Sequence, residues 1–220
     1  MPADNGAAIE TSGHAERMDQ MYRYQRHIYD LTRKYYLFGR DRAIRRLDVP
    51  DDGRLLEVAC GTGRNLLMAH KAYPEARLYG LDISAEMLTS AKASFRNKRQ
   101  SPIFKVADAT GFAPSEFGED DFERILISYA LSMIPDWKKA IGAALSALSP
   151  GGSLHIVDFG QQEGLPRGFH TVLKAWLNRF HVTPRPDLRD ELAAQAHARN
   201  ATLEFESIGR GYAWHAIIRT

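Results

Sequence analysis

Arg54-Leu-Leu-Glu-Val-Ala-Cys-Gly-Thr-Gly-Arg-Asn65 is the stretch that decides the fold. Leu55, Leu56, Val58 and Ala59 form a short apolar run, which predicts a buried strand of a parallel sheet. Gly61 and Gly63 turn the chain, and Leu66, Leu67, Ala69 and His70 continue at helical spacing. A strand, a Gly-x-Gly turn and a helix make a nucleotide-binding βα unit. The glycines let the backbone approach a ligand, and the helix start offers N–H groups without partners. The dinucleotide fingerprint asks for a third glycine at 66, where helix and strand close around a pyrophosphate. Leu66 stands there instead. Glu57, an acid inside the strand, is a poor neighbour for a pyrophosphate and a good one for a ligand carrying an ammonium group. A lone Gly-x-Gly fits many α/β turns, so the flanking sequence has to decide.

Downstream, the pattern repeats. Arg77 to Asp82 predicts a second strand, and its terminal acid lies nineteen residues beyond Gly63, where it could accept from both ribose hydroxyls. Ser84 is a natural N-cap for a helix that begins with Glu86 and Met87. Ile103 to Ala107 is a third strand, ending at Asp108 and Ala109. An acid-rich loop (Glu116, Glu119, Asp120, Asp121, Glu123) then predicts a solvated face. Arg124 to Tyr129 is a fourth strand, with Ser128 and Tyr129 at its end. Asp136 to Leu148 is a helix, Pro150-Gly151-Gly152 a turn, and Ser153 to Asp158 a fifth strand. Strands alternating with helices imply right-handed crossovers and a parallel sheet. Ala201 to Ser207 and Tyr212 to Arg219, joined by Ile208-Gly-Arg-Gly211, predict a closing hairpin, so the last strand runs antiparallel.

In an open α/β fold, ligands bind outside the carboxyl ends of the strands. Glu57 with Gly61 and Gly63, then Asp82, then Asp108, each following a strand in order, resemble the motifs of class I S-adenosylmethionine (AdoMet) methyltransferases. The resemblance implies a Rossmann-like α/β fold: a seven-stranded, mostly parallel sheet with an antiparallel last strand and helices on both faces. It implies that Glu57 and the Gly61 backbone hold the methionine end and that Asp82 holds the ribose. Met87 or Ile83 would pack on the adenine, and Asp108 would accept from its amino group beside the Ala109 N–H. Ser128 and Arg40 complete the expected cofactor set. No metal site is expected.

Composition sets the bounds. The chain has 220 residues, 44% hydrophobic and 25% charged, enough for one domain with a sizeable core. One cysteine, Cys60, excludes an internal disulfide and suits a reducing cytoplasm. Its position in the ligand turn reads as a small residue that fits there rather than as a nucleophile. The longest apolar run, Ile125 to Ile134, is too short to span a bilayer. Net charge is only +2, yet nine Lys/Arg stand against three Asp between Arg17 and Arg46. Such a segment could face nucleic acid, an anionic membrane or water. The expected organisation is a disordered tail over 1–14 and a single methyltransferase domain over 15–220. Within it, 15–50 form an amino-terminal helical cap and 160–200 a helical insertion over the acceptor site.

Met18, Met21, Tyr22, Gln25, Ile28, Tyr29, Thr32, Tyr35 and Tyr36 recur at three- and four-residue intervals, which predicts one helix face, and a basic helix over Asp41 to Leu47 follows. Leu165, Phe169, Val172, Leu173, Trp176, Leu177 and Phe180 have helical spacing among Arg167, Lys174, Arg179 and Arg185, with no acid from Gly164 to Pro186, a pattern that suits an anionic membrane surface or a core-packed crossover. Tyr24, Tyr29, Tyr129, Trp137, Trp176 and Trp214 are expected near the mouth of the site, where aromatic faces suit a methylated ammonium, a flat ring or an acyl chain. An amine acceptor must lose a proton before attack, and the phenols of Tyr129 and Tyr29 are the candidates to assist.

Tyr24-Gln-Arg-His-Ile-Tyr-Asp-Leu-Thr-Arg33, Phe38-Gly-Arg-Asp-Arg42 and Ala59-Cys-Gly-Thr-Gly-Arg-Asn65 resemble the bacterial diacylglycerylhomoserine N-methyltransferases of betaine-lipid synthesis. That resemblance implies three successive methylations of the homoserine amine of a lipid-linked amino acid at an anionic membrane surface. It also implies a partner enzyme that transfers an aminocarboxypropyl group from AdoMet to diacylglycerol. The substrate carboxylate would want a cation, from Arg40, Arg26 or Arg33, and Tyr24 and Trp176 would line the acceptor. The expected location is cytoplasmic, peripheral on the inner face of the membrane.

Three rival readings remain open. A methyltransferase acting on a quinone ring carbon or a soluble amine fits the same cofactor motifs, although a ring carbon needs a dedicated base that the sequence does not single out. A nucleic-acid enzyme is disfavoured because Ser128-Tyr-Ala-Leu replaces a base-flipping Asn-Pro-Pro-Tyr motif and charge is nearly balanced; no nucleic-acid partner is expected. A dehydrogenase is disfavoured by Leu66 and the closing hairpin.

Overall fold

Seven strands form one sheet in the order β3-β2-β1-β4-β5-β7-β6 in a computed structural model that describes residues 39–165 and 183–220. The strands are β1 (Arg54–Val58), β2 (Arg77–Asp82), β3 (Ile103–Val106), β4 (Phe122–Ser128), β5 (Leu148–Phe159), β6 (Thr202–Ile208) and β7 (Ala213–Arg219). Five helices accompany them among the described residues: α1 (Arg40–Arg45), α2 (Arg64–Ala72), α3 (Ala85–Phe95), α4 (Trp137–Ser146) and α5 (Leu188–His197). Neighbours from β3 to β5 pair in parallel, and only β7 runs antiparallel to the strands on both its sides. The chain winds outward from β1 to β3, then returns to β4 and β5 on the other side. The reversal between β1 and β4 is the topological switch point of an open sheet.

Strand register sorts side chains into two layers. Leu55, Leu78 and Leu126 face α1, α2 and α3, and pack with Ile44, Leu47, Leu66, Ala69, Leu88 and Phe95. Leu56, Val58, Leu81, Ile125, Ile127, Leu154 and Ile156 face the other way, against Ile141, Leu145, Leu188 and Leu192 of α4 and α5. Both faces are therefore covered, which is why the central strands read as nearly continuous apolar runs.

Leu66 explains how a helix sits this close to the sheet without a glycine of its own. A methyl group on Gly80 of β2 would lie 3.0 Å from Leu66 Cδ1 and 2.8 Å from Cys60 Sγ. The missing side chain that lets α2 settle on the strands is thus in β2, not in α2.

Several expectations are revised. The basic helix runs from Arg40 to Arg45 rather than from Asp41 to Leu47. Pro150-Gly151-Gly152 is not a free turn: β5 begins at Leu148 and passes through these residues with a register shift against Phe122 and Arg124. Gly151 is left-handed there, and a Cβ on Gly152 would meet the Ser149 carbonyl oxygen at 2.8 Å. The acid-rich loop is a solvated face only in part, at the exposed Glu116 and Asp120. Glu119, Asp121 and Glu123 converge on the Arg54 guanidinium, with Asp121 at 2.7 Å from Nη2 and Glu123 bonded to both the side chain and the backbone N–H. Within the span expected as a helical insertion, residues 188–197 are described. They form the crossover helix α5, with Leu188, Leu192 and Ala196 in the core and Arg189 over the Phe205 ring of β6. The helices expected from Met18 to Tyr36 and over most of Leu165 to Phe180, and the tail 1–14, lie outside the described residues. Among the described residues, no helix is long and apolar enough to cross a membrane.

Candidate active site at the carboxyl edge of the sheet

β1 delivers Glu57 to the sheet's carboxyl edge as a fully buried side chain, and the following turn doubles back at once. Ala59, Gly61 and Gly63 all have left-handed backbone, with φ of 56°, 55° and 74°. Glycine is the natural occupant of such positions, so Ala59 bears strain that Gly61 and Gly63 avoid. Gly63 caps α2 without a side-chain hydrogen bond, which leaves the first N–H groups of the helix directed at the site.

Asp82 links the two loops. Its Oδ2 accepts from the Gly61 N–H at 2.8 Å and its Oδ1 from the Ser84 N–H at 2.9 Å. An ionised carboxylate has about four lone-pair sites, so both contacts leave capacity for ligand hydroxyls. Ser84 caps α3, its Oγ accepting from the Met87 N–H at 3.3 Å, as its place in the sequence predicts. Met87 is buried, and Ile83 is half-buried beside it. Asp108 closes a tight turn: its Oδ1 accepts from both the Thr110 N–H and the Thr110 hydroxyl at 2.8 Å. Ala109 next to it is buried.

Asn65 belongs to this site, although its residue type gave no reason to choose it. Its Nδ2 donates to Glu57 Oε1 at 2.6 Å. A carboxylate only accepts, so the amide nitrogen must face Glu57 and the amide oxygen must face away. That oxygen is buried and has no hydrogen-bond partner, and the same is true of Ser128 Oγ at the end of β4. Buried polar atoms without partners are costly in a finished fold and natural at a ligand site.

A family model described as a methyltransferase domain matches residues 55–152. The demethylmenaquinone methyltransferase of Thermus thermophilus is 30% identical over 157 residues, covering 69% of each chain. The chain belongs to the class I AdoMet-dependent methyltransferases. A ubiquinone/menaquinone biosynthesis C-methyltransferase of Desulfotalea psychrophila is 32% identical over 135 residues, which cover 59% of this chain and 53% of that one. This methyltransferase thus spans about half of that relative's length. In fold it resembles the plantazolicin methyltransferase BpumL bound to SAH, with TM-score 0.69, 16% identity and 97% and 98% of the two chains covered. It likewise resembles the protein of the DhpI–SAM–HEP complex, with TM-score 0.65, 20% identity and both chains covered in full.

The residues present fit the methyltransferase cofactor. Two acids follow successive strands, Asn65 Oδ1 and Ser128 Oγ are buried without partners, and the glycine turn brings backbone into the open half of the edge. Bound AdoMet supplies a methyl group on a sulfonium, so the protein's task is to hold a nucleophile in line and keep water out. Cys60 is no rival nucleophile. Burial, with Glu57 and Asp82 nearby, pushes its thiol well above the ordinary range.

At the β4 and β5 ends the outcome is mixed. Tyr129 is buried, left-handed (φ 53°) and edge-on to Phe159 with ring centroids 4.7 Å apart. Burial pushes its phenol well above the ordinary value. Trp137 and Trp214 do not line a mouth: both are buried in the layer of α4 and α5. Arg40 is buried on α1, and its charge is felt at Tyr129. Tyr24, Arg26, Tyr29, Arg33 and Trp176 lie outside the described residues.

Proposed function

We propose that this methyltransferase transfers a methyl group from AdoMet to a ring carbon of a quinone-type acceptor. The observation that carries this reading is the 30% identity to the Thermus thermophilus demethylmenaquinone methyltransferase over 69% of both chains. The half of the sheet edge beyond the switch point supports it, because Tyr129, Phe159, Met133 and Tyr212 form an aromatic and apolar cluster there. In this reading Glu57, Gly61, Gly63 and Asn65 receive the methionine end, Asp82 the ribose, and Ile83, Met87, Asp108 and Ala109 the adenine. Ser128 and Arg40 complete the cofactor set.

A second reading, N-methylation of diacylglycerylhomoserine to a betaine lipid, is favoured by the Tyr24–Arg33 and Phe38–Arg42 motifs. It would bring with it the aminocarboxypropyl transferase as a functional partner. Both acceptors are lipid-soluble, and the basic segment Leu165–Phe180 is the candidate for docking on an anionic membrane surface.

One experiment separates the readings. Purified protein is given AdoMet labelled on the methyl group, with a demethylated naphthoquinol or with diacylglycerylhomoserine in vesicles. One added methyl on the naphthoquinol supports the first reading. Successive methyl additions to the lipid amine support the second. Label in neither product, with binding of S-adenosylhomocysteine (SAH) intact, overturns both acceptor assignments and leaves the methyltransferase fold unaffected.

A further inference from the structure

The turn that follows β4, Tyr129 to Met133, is held from two sides by side chains of opposite charge. On one side, Asp158 Oδ2 accepts from the Ser132 N–H at 3.2 Å, and the Leu131 N–H contributes to the same carboxylate. Oδ1 accepts from the Phe159 N–H at 2.7 Å. On the other side, Arg185 Nε donates to the Leu131 carbonyl at 3.1 Å and Nη2 to the Ile134 carbonyl at 2.8 Å. The Thr183 N–H donates to the Ser132 carbonyl at 3.0 Å. N–H groups of the turn thus point at an acid, and its carbonyls point at a guanidinium and a backbone amide. Arg185 also lies over the Trp137 ring, 5.9 Å from its centroid, at the start of α4.

We propose that Asp158 is a positioning residue for methyl transfer, setting the turn Tyr129–Met133 and, through it, Thr183 and Arg185 beside the acceptor. The inference rests on the reading that the acceptor occupies the β4 and β5 half of the sheet edge. Two properties distinguish Asp158 from an ordinary structural acid. It is 2% exposed, at the end of β5 opposite Trp214, where an ionised group costs the fold stability. Burial raises its carboxyl to about 6 despite the backbone N–H groups that favour the ionised form. The carboxylate accepts from the Leu131, Ser132 and Phe159 N–H groups, but burial outweighs these bonds, so the folded turn favours the protonated acid. Ionisation as pH rises toward about 6 therefore puts a buried charge under the turn and eases its opening. The other titratable or charged groups at this turn are Tyr129 at the end of β4, Tyr212 before β7, Arg40 on α1 and Arg185 on the far side. Tyr129 stays neutral across that range, so the titration belongs to the acid.

Hydrogen exchange tests this without an acceptor. Exchange of the segment 129–135, corrected for intrinsic rate, is measured from pH 5 to pH 8 in the full chain with SAH bound. In the wild type, protection should fall about tenfold as pH rises from 5 to about 6 and level off above it. In Asp158→Asn it should be flat with pH. In Arg185→Gln it should be lower at every pH while keeping the same pH dependence. SAH affinity should change less than about twofold in both variants, because the contacts altered lie away from β1 to β3. Protection independent of pH in the wild type overturns the proposal, even if Asp158→Asn fails to fold, and so does loss of SAH affinity in step with loss of protection. With the naphthoquinol as acceptor, kcat/KM should follow the same pH dependence in the wild type and lose it in Asp158→Asn. A titrating turn in a protein that never methylates the naphthoquinol would remove that acceptor and keep Asp158 in its role.

Discussion

Asn65 Nδ2 lies 2.6 Å from Glu57 Oε1, so the first turn of α2 is fastened to β1 by a side chain as well as by the glycine turn. Removing the amide leaves a buried carboxylate short of a donor and deletes the polar oxygen next to it. Asn65→Ala should weaken SAH binding by about fivefold to tenfold, close to one hydrogen bond. Asn65→Asp, which sets a second carboxylate against Glu57, should weaken it further. Calorimetric titration of both variants decides, and unchanged affinity would exclude Asn65 from the site.

Gly80 has no room for a methyl group beside Cys60, Leu66 and Phe104, the last at 3.0 Å. Gly80→Ala should cost about 1–3 kcal/mol of stability through overpacking. Combined with Cys60→Ala it should lose less than the sum of the two single changes, since the sulfur is the nearest obstruction. Urea melts of the four proteins measure that difference.

Arg54 sits at the amino ends of the strands, as far from the ligand edge as β1 allows. Burial alone would raise the Glu123 carboxyl, but hydrogen bonds to the Arg54 side chain and backbone outweigh it and bring it down to about 2. A carboxyl lower in the folded than in the unfolded state stabilises above its unfolded value and loses that contribution as pH falls toward 2. Arg54→Met, which leaves three acids facing one another, should cost about 2 kcal/mol at pH 7 and leave SAH affinity unchanged. Parallel loss of affinity would contradict the separation of the two ends.

His155 and His215 face each other beneath α1 with ring centroids 6.2 Å apart, and neither ring nitrogen of His215 has a hydrogen-bond partner. Burial first, then neighbouring positive charge, lowers them to about 3 and about 4. The unfolded histidines take up protons near pH 6.5 and the folded ones do not, so stability is complete above that pH and falls below it. His215→Leu should raise Tm, by about 2–4 °C at pH 5.5 and by less at pH 7.5. An equal shift at both pH values would show that the imidazole does not titrate against the fold.

How far the sequence discloses this molecule depends on how local each feature is. Glu57, Asp82 and Asp108 are legible because each ends an apolar run, and strand polarity then sends all three to one edge. Asn65 is not, because its role depends on which way a side chain in the first turn of α2 points across to β1. The acids around Arg54 look like a solvated run because their partner lies more than sixty residues away in sequence. Helix α5 shows only a thin stripe, Leu188, Leu192 and Ala196, and the aromatic residues before it draw attention away. Asp158 is visible as a strand-end acid, but its grip on Ser132, matched by Arg185 at the Leu131 carbonyl, becomes apparent only in three dimensions.

The antiparallel β7 lies between β5 and β6, so β6 reaches the sheet only through it. Residues 202–219 must therefore zip into a hairpin and dock as one unit onto an exposed flank of β5. Such long-range pairing is slow, and until it is complete that flank is an open template for another chain. Folding yield, more than final stability, should be where damage to the Gly209–Gly211 turn first becomes evident.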